Sequence, residues 1–231
     1  MGANATTFVP AYVSGEVLTA ADLTVTNSGI PVFATTVTRD AAFGGTGEKV
    51  LAEGQFAYLE DTNTTQYYDG AAWQSVAPTR QIAIFNETQA SGTSGGTNAT
   101  TTWTKRVLNT SVYNSITGCS IASSVITLPA GTFLVTSDSP YLYTGRVKVK
   151  LRNTTASSDA IIGGNAYVNP TSADVVVIAP LTGTVVTTGS TNFELQYYAA
   201  FAGGATNGLG VANSIASISE VYATITIEKI A

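Results

Sequence analysis

The sequence predicts an all-β chain: a small N-terminal β-meander followed by a larger β-sandwich of the jelly-roll kind. Three observations lead there. Charged residues make up only 11 % of the 231 residues, against roughly 25 % in ordinary domains. Thr, Ser, Gly and Ala fill the gap, and Thr favours extended backbone through its branched Cβ. From Arg80 onward, about nine or ten short alternating segments are punctuated by turn residues, the spacing of a sandwich or jelly roll.

From the N-terminus, "LTAADLT" (18–24) predicts a short helix with Thr19 as N-cap. "IPVFATTV" (30–37) reads as a strand, and "TRDAAFGG" (38–45) as one helical turn stopped by Gly44-Gly45. A meander follows: "GQFAYLED" (54–61), a turn at Thr62-Asn63, "TTQYYDG" (64–70), a hairpin turn at Asp69-Gly70 and "AAWQSVA" (71–77). Pro78 then separates domain 1–78 from domain 80–231. In the second domain "RQIAIFNE" (80–87) alternates, with Ile82, Ile84 and Asn86 on one face. Residues 88–102 read as a flexible loop. Strands are predicted over 103–109, 123–128, 131–138, 144–153, 159–168, 173–179, 181–188, 192–201 and 218–230.

Much chemistry is excluded. The chain has no histidine, which removes Ser-His-Asp and Cys-His catalysis and histidine-bound zinc. Cys119 is alone, so no disulfide can form within the chain, and it reads as buried filler. "GGTGEK" (44–49) lacks the Gly-Lys-Ser/Thr of a phosphate loop. "DTNTT" (61–65) opens like a calcium loop but has Gln66 and Ala72 where Gly and Glu are needed. Glu60 and Asp61 are adjacent, so on a strand they face apart and make no glycosidase pair. The expectation is a protein that is not an enzyme and carries no cofactor and no metal. A net charge of −5 and a pI near 4.6 argue against nucleic acid as partner. No stretch of about 20 apolar residues is present, so no membrane insertion is expected.

Two features are candidates for recognition. In "GRVKVKLRN", Arg146, Lys148, Lys150 and Arg152 share one strand face and Val147, Val149 and Leu151 the other. Four of the ten basic residues thus form a stripe about 20 Å long. Either the stripe is solvated or paired with acids, Glu194 and Asp138 being candidates, and protects an edge, or it docks an acidic partner or surface polymer. Tyr141 and Tyr143, in "SPYLYTG", fall between predicted strands. There they would read a ligand, cap a core or fill a subunit contact.

The order "AIFNE", "TWTKRVLNT", "ITLPAGTFLV", "VKVKLRN", "NFELQYYA" and "YATITIEKIA" resembles the tumour-necrosis-factor-like, or complement-type globular-head, jelly roll over residues 80–231. "LPAGTF" ahead of a strand ending in Leu-Arg-Asn is its most specific part. The aromatic-Gly ending of the animal branch is missing and no calcium-binding residues carry over, so a cytokine role is unsupported. Residues 12–76 are similar to a module of phage minor tail and tail-fibre proteins. Gly15, Leu18, Thr19, Arg39, Gly54, Tyr58, Leu59, Asp61, Tyr68, Gly70 and Trp73 carry that match.

The resemblances imply a structural protein of a bacteriophage virion, assembled in the host bacterial cytoplasm and working as a homotrimer. They imply a tail-associated fibre or receptor-binding protein, or alternatively a capsid decoration (cement) protein or head fibre. Residues 1–78 would attach to a tail or major capsid protein. A host surface polysaccharide is the further partner implied, read through Arg146, Lys148, Lys150, Arg152, Tyr141 and Tyr143.

Overall fold

Alternation of apolar and polar residues dictates strands nearly throughout, and the computed structural model is accordingly all-β. It describes residues 9, 11–17, 19, 29–46, 48–77, 80–170, 175–203 and 206–230. The chain divides into two compact units, Met1–Thr79 and Arg80–Ala231. The helix expected over 18–24 lies outside the described residues, Thr19 excepted.

In the first unit, β1 (Val32–Phe33) and α1 (Thr36–Asp40) precede β2 (Phe56–Leu59), β3 (Thr64–Tyr68) and β4 (Trp73–Ser75). The sheet runs β1-β2-β3-β4, parallel at β1-β2 and antiparallel beyond. The strand expected over 30–37 stops at Phe33 because Thr35 caps α1. Its Oγ1 accepts from Thr38 N, and Thr38 Oγ1 accepts from Thr35 N, a reciprocal box that satisfies two otherwise orphaned amides. Phe33, Ala57 and Leu59 form the core with Val9 and Ala42. The Arg39 guanidinium lies 4.6 Å from the Trp73 ring centroid and donates to Gln66 Oε1. At the hairpin, Asp69 Oδ1 accepts from Ala71 N and Ala72 N, and Gly70 takes φ 93°, which only glycine adopts cheaply.

The second unit is a sandwich of two antiparallel sheets. Its strands are β5 (Gln81–Gln89), β6 (Thr104–Lys105), β7 (Thr110–Asn114), β8 (Ser120–Ala122), β9 (Val125–Leu128), β10 (Gly131–Leu142), β11 (Gly145–Asn153), β12 (Ser158–Val168), β13 (Val176–Thr187), β14 (Thr191–Ala199) and β15 (Glu220–Lys229). One sheet has the order β13-β10-β15-β5-β7, the other β12-β11-β14-β9-β8 with β6 on β14. The chain crosses repeatedly between the two sheets, as in a jelly roll, with β8-β9 and β11-β12 as hairpins within one sheet. Phe85, Phe133, Val135, Ile225 and Ile227 from the first sheet meet Ile126, Val149, Leu151, Phe193 and Leu195 from the second.

"ITLPAGTFLV" is a corner between sheets: β9 pairs β14, while β10 pairs β13 and β15. Pro129 ends β9, Gly131 begins β10 at φ 151°, and Thr187 Oγ1 donates to Pro129 O. Several expectations are corrected. The two strands expected over 173–179 and 181–188 are replaced by one, β13 (Val176–Thr187), running through Pro180. β13 is an edge, where a missing amide costs no ladder bond. β10 extends past 138 to Leu142. Its pairing with β15 stops at Asp138, so Pro140 displaces no bond on that side. The loop after Gln89 is tied down, with Gly95 N on Gly210 O, Gly96 N on Thr206 O and a buried Asn98 donating to Phe201 O. Of 103–109 only Thr104–Lys105 is strand, and β7 and β8 were not foreseen. On β5 the face of Ile82, Ile84 and Asn86 is the outer one; Ala83, Phe85 and Glu87 point into the core.

Cys119 is buried in that core, and burial pushes its thiol up to about 11. Glu87 and Arg106 are buried there as a pair, Oε2 to Nε 2.9 Å, and Arg106 Nη2 donates to Leu209 O.

Candidate functional site

The stripe of strand β11 is real, and two bulges in β12 divide it. Val147, Val149 and Leu151 enter the core, leaving Arg146, Lys148, Lys150 and Arg152 on the outer face. Across from them, the register is Arg146 to Tyr167, Lys148 to Asn165, Lys150 to Ile162 and Arg152 to Asp159, with shifts between Lys148 and Lys150 and between Leu151 and Arg152. Each extra residue reverses which side chains face out. Without the bulges, Asp159 and Tyr167 would share the inner parity of Ile161. Gly163 sits at one bulge because a Cβ there would lie 2.6 Å from Val149 Cγ2 and 2.7 Å from Pro180 O.

One half of the face is neutralised. Asp159 Oδ1 lies 2.8 Å from Lys150 Nζ and 2.9 Å from Arg152 Nη1. The bond from Lys150, then that from Arg152, holds the Asp159 carboxyl below its ordinary value of 3.8. Lys150 is buried, its Nζ 4.1 Å from the Trp103 ring centroid. Trp103 packs on Tyr198 with centroids 5.7 Å apart.

The other half is open. Arg146 is exposed and Lys148 half-buried, and among the described residues neither has an acid partner. Tyr167, 63 % exposed, lies opposite Arg146. Lys148 is flanked by exposed Asn165 on β12 and by Tyr198 on β14. Trp103 is 39 % exposed.

The acid against the stripe is therefore Asp159, not the two expected. Glu194 is opposite Arg152 but pairs with Lys105 at 3.5 Å, and Asp138 belongs to the other sheet. Tyr141 is not a loop residue. It lies on β10, wholly buried, its ring 5.7 Å from Tyr197 and 5.4 Å from the Arg106 guanidinium, and burial raises its hydroxyl above the ordinary value. Tyr143 is in the β10–β11 turn at φ 57°, half-buried. The exposed aromatic residues beside the cations are Trp103 and Tyr167, with Tyr198 behind. Gly163-Gly164 within a strand was the available signal for Tyr167, since paired glycines mark bulges.

Two carboxylates away from the stripe, Glu220 and Glu87, are already engaged. A cavity of about 450 Å³ includes Pro140, Val176, Val211 and Tyr222 in its lining. Its carboxylate, Glu220, accepts from the amides of Ser214, Gly92 and Asn213, which hold its carboxyl below the ordinary value. Glu87, raised by burial to about 7, is sealed from solvent and can exchange no proton with a substrate.

No protein-family model matches the chain, and no curated protein matches it. Among solved structures it is similar to murine APRIL, at 9 % identity and a TM-score of 0.44 over 66 % of this chain and 100 % of that one. It is similar to the globular domain of zebrafish complement 1qA protein, at 10 % identity and 0.41 over 67 % and 98 %. It is also similar to the PRD1 vertex protein P5, at 17 % identity and 0.41 over 67 % and 100 %.

Proposed function

We propose that the chain is a structural protein of a bacteriophage virion, acting as a homotrimer whose jelly-roll head binds the host surface while residues 1–78 attach it to the tail. The observation that carries self-association is the outer face of the sheet β13-β10-β15-β5-β7. Its central row is Tyr113, Ile84, Thr226, Thr136 and Thr182. Val176, Ile178, Pro180 and Val186 continue it along β13. Among the described residues, the charged side chains on this face are Asp138 and Glu228, the latter paired with Arg80 at its edge. The outer face of the other sheet carries four cations on β11 alone. A nearly uncharged sheet face favours burial against another copy, because few charges lose water there.

The attachment reading rests on the resemblance of residues 12–76 to tail modules. Several residues that carry it also organise the unit: Arg39 over Trp73, Tyr68 on Trp73 with centroids 5.6 Å apart, buried Leu59, and Gly54 and Gly70 at positive φ. Two measurements test the proposal. Light scattering on the purified chain is expected to give three copies, and a monomer at micromolar concentration sinks the trimer. Quantitative mass spectrometry of virions is expected to find few copies per particle; hundreds would replace the tail role with capsid decoration.

A further inference from the structure

We propose that the open half of the charged face binds a glycan that bears carboxylates. Arg146 and Lys148 hold one carboxylate between them, and the rings of Tyr167, Trp103 and Tyr198 carry the adjoining sugars. The inference deepens the receptor-binding reading above and rests on it.

The face contains its own precedent. Lys150 and Arg152, two residues apart on β11, share a single carboxylate oxygen of Asp159. Arg146 and Lys148 have the same spacing on the same face and no acid among the described residues. Where Arg152 has Asp159 across the strand, Arg146 has Tyr167 and Lys148 has Asn165. Two cations about 7 Å apart on a strand face repel each other until an anion joins them. A ligand carboxylate completes the arrangement with charge-assisted hydrogen bonds, the stronger kind.

Aromatic placement points to sugars. Tyr167 on β12 and Tyr198 on β14 flank β11, about 12 Å apart across two strand spacings and a two-residue offset. Trp103 is held against Tyr198 and beneath Lys150, so its exposed surface is preordered. Rigid rings offer contact area at little entropic cost, and pyranose C–H faces pack flat on them. The exposed Asn165 amide can donate to and accept from sugar hydroxyls.

Nucleic acid would also meet cations and rings, but it carries a phosphate at every nucleotide. Its affinity depends on how many cations meet them. Here two open cations stand on a chain of net charge −5. A glycan with one carboxylate per sugar or fewer suits that count.

The test uses the purified full chain. Oligogalacturonate, oligomannuronate and hyaluronan oligosaccharides are titrated by calorimetry and by tryptophan fluorescence, with neutral dextran and oligo-dT alongside. At least one uronate is expected to bind saturably below about 1 mM, more weakly as salt rises. The fluorescence change should vanish in Trp103→Phe. Arg146→Gln with Lys148→Gln should lower the affinity roughly tenfold or more, and Tyr167→Ala roughly fivefold, with unchanged melting temperature and assembly. Thr117→Ala, exposed in the turn between β7 and β8, should change nothing. The inference is overturned if no uronate binds, if the double variant binds as well as the parent, or if dextran or oligo-dT binds as tightly. A trimer that binds no uronate overturns this inference alone. A virion copy number in the hundreds, with uronate binding intact, overturns the tail role alone.

Discussion

Glu87 and Arg106 form an ion pair inside the sandwich, Oε2 to Nε 2.9 Å, with both side chains buried. Removing Arg106 leaves the Glu87 carboxyl without its partner in a low-dielectric core and empties the space the guanidinium fills. Arg106→Leu should therefore cost about 3–5 kcal/mol, read as a lower urea midpoint at unchanged slope.

The same pair has a pH signature. Burial raises the Glu87 carboxyl from its ordinary 4.5 to about 7, against the opposing pull of Arg106. Folded protein then binds more protons than unfolded protein between those values. Stability is highest below 4.5, falls as pH rises through 7 and levels off above it, by on the order of 3 kcal/mol for this group. Urea unfolding of the parent and of Glu87→Gln across pH 5 to 8 should show the slope only in the parent. A parent curve flat or rising through this window would mean that Arg106 keeps the carboxylate charged.

Asp159 works in the opposite sense. Its folded-state carboxyl is held below 3.8 by Lys150 and Arg152, so its contribution is present above that value and is lost as pH falls through the lowered one. Asp159→Asn should be slightly less stable than the parent at pH 7. The gap should close in acid, and a gap that widens there would contradict the pairing.

The bulge glycines make a paired test. At Gly163 a Cβ would meet Val149 Cγ2 at 2.6 Å and backbone Pro180 O at 2.7 Å, whereas at Gly164 the nearest atom is Pro180 Cγ at 3.2 Å. Gly163→Ala should cost about 1–3 kcal/mol by overpacking and Gly164→Ala clearly less. Equal losses in chemical denaturation would contradict the register described for β12.

Self-association should respond to charge on the uncharged face. Thr136 and Thr226 are directly paired at its centre and half-buried in the single chain. Thr136→Arg should convert the trimer to monomer in light scattering while leaving circular dichroism unchanged. A trimer that survives this change would move the interface elsewhere.

Trp73 links Phe43, Tyr68 and Arg39 within the first unit. Trp73→Ala should lower that unit's stability by about 2 kcal/mol for a half-buried ring. In calorimetry one transition should move and the transition of the second unit should stay. Equal movement of both would show that the units unfold together.

Period-two alternation was enough to read the all-β class, most strands of the second unit and the stripe on β11, because a strand's own residues decide which of its side chains share a face. Composition likewise removes histidine chemistry, since the chain has no histidine. The alternation could not say what lies across a strand. Asp159, Tyr167 and Trp103 reach the stripe through strand pairing between distant segments, and two one-residue bulges reverse the parity that a straight strand would have. Tyr141 was misplaced for a related reason: Pro140 looks like a strand end in one dimension, but β15 no longer pairs with β10 there. Which cations keep an open side was settled by cross-strand register, which depends on the packed sheet and not on any one segment of the chain.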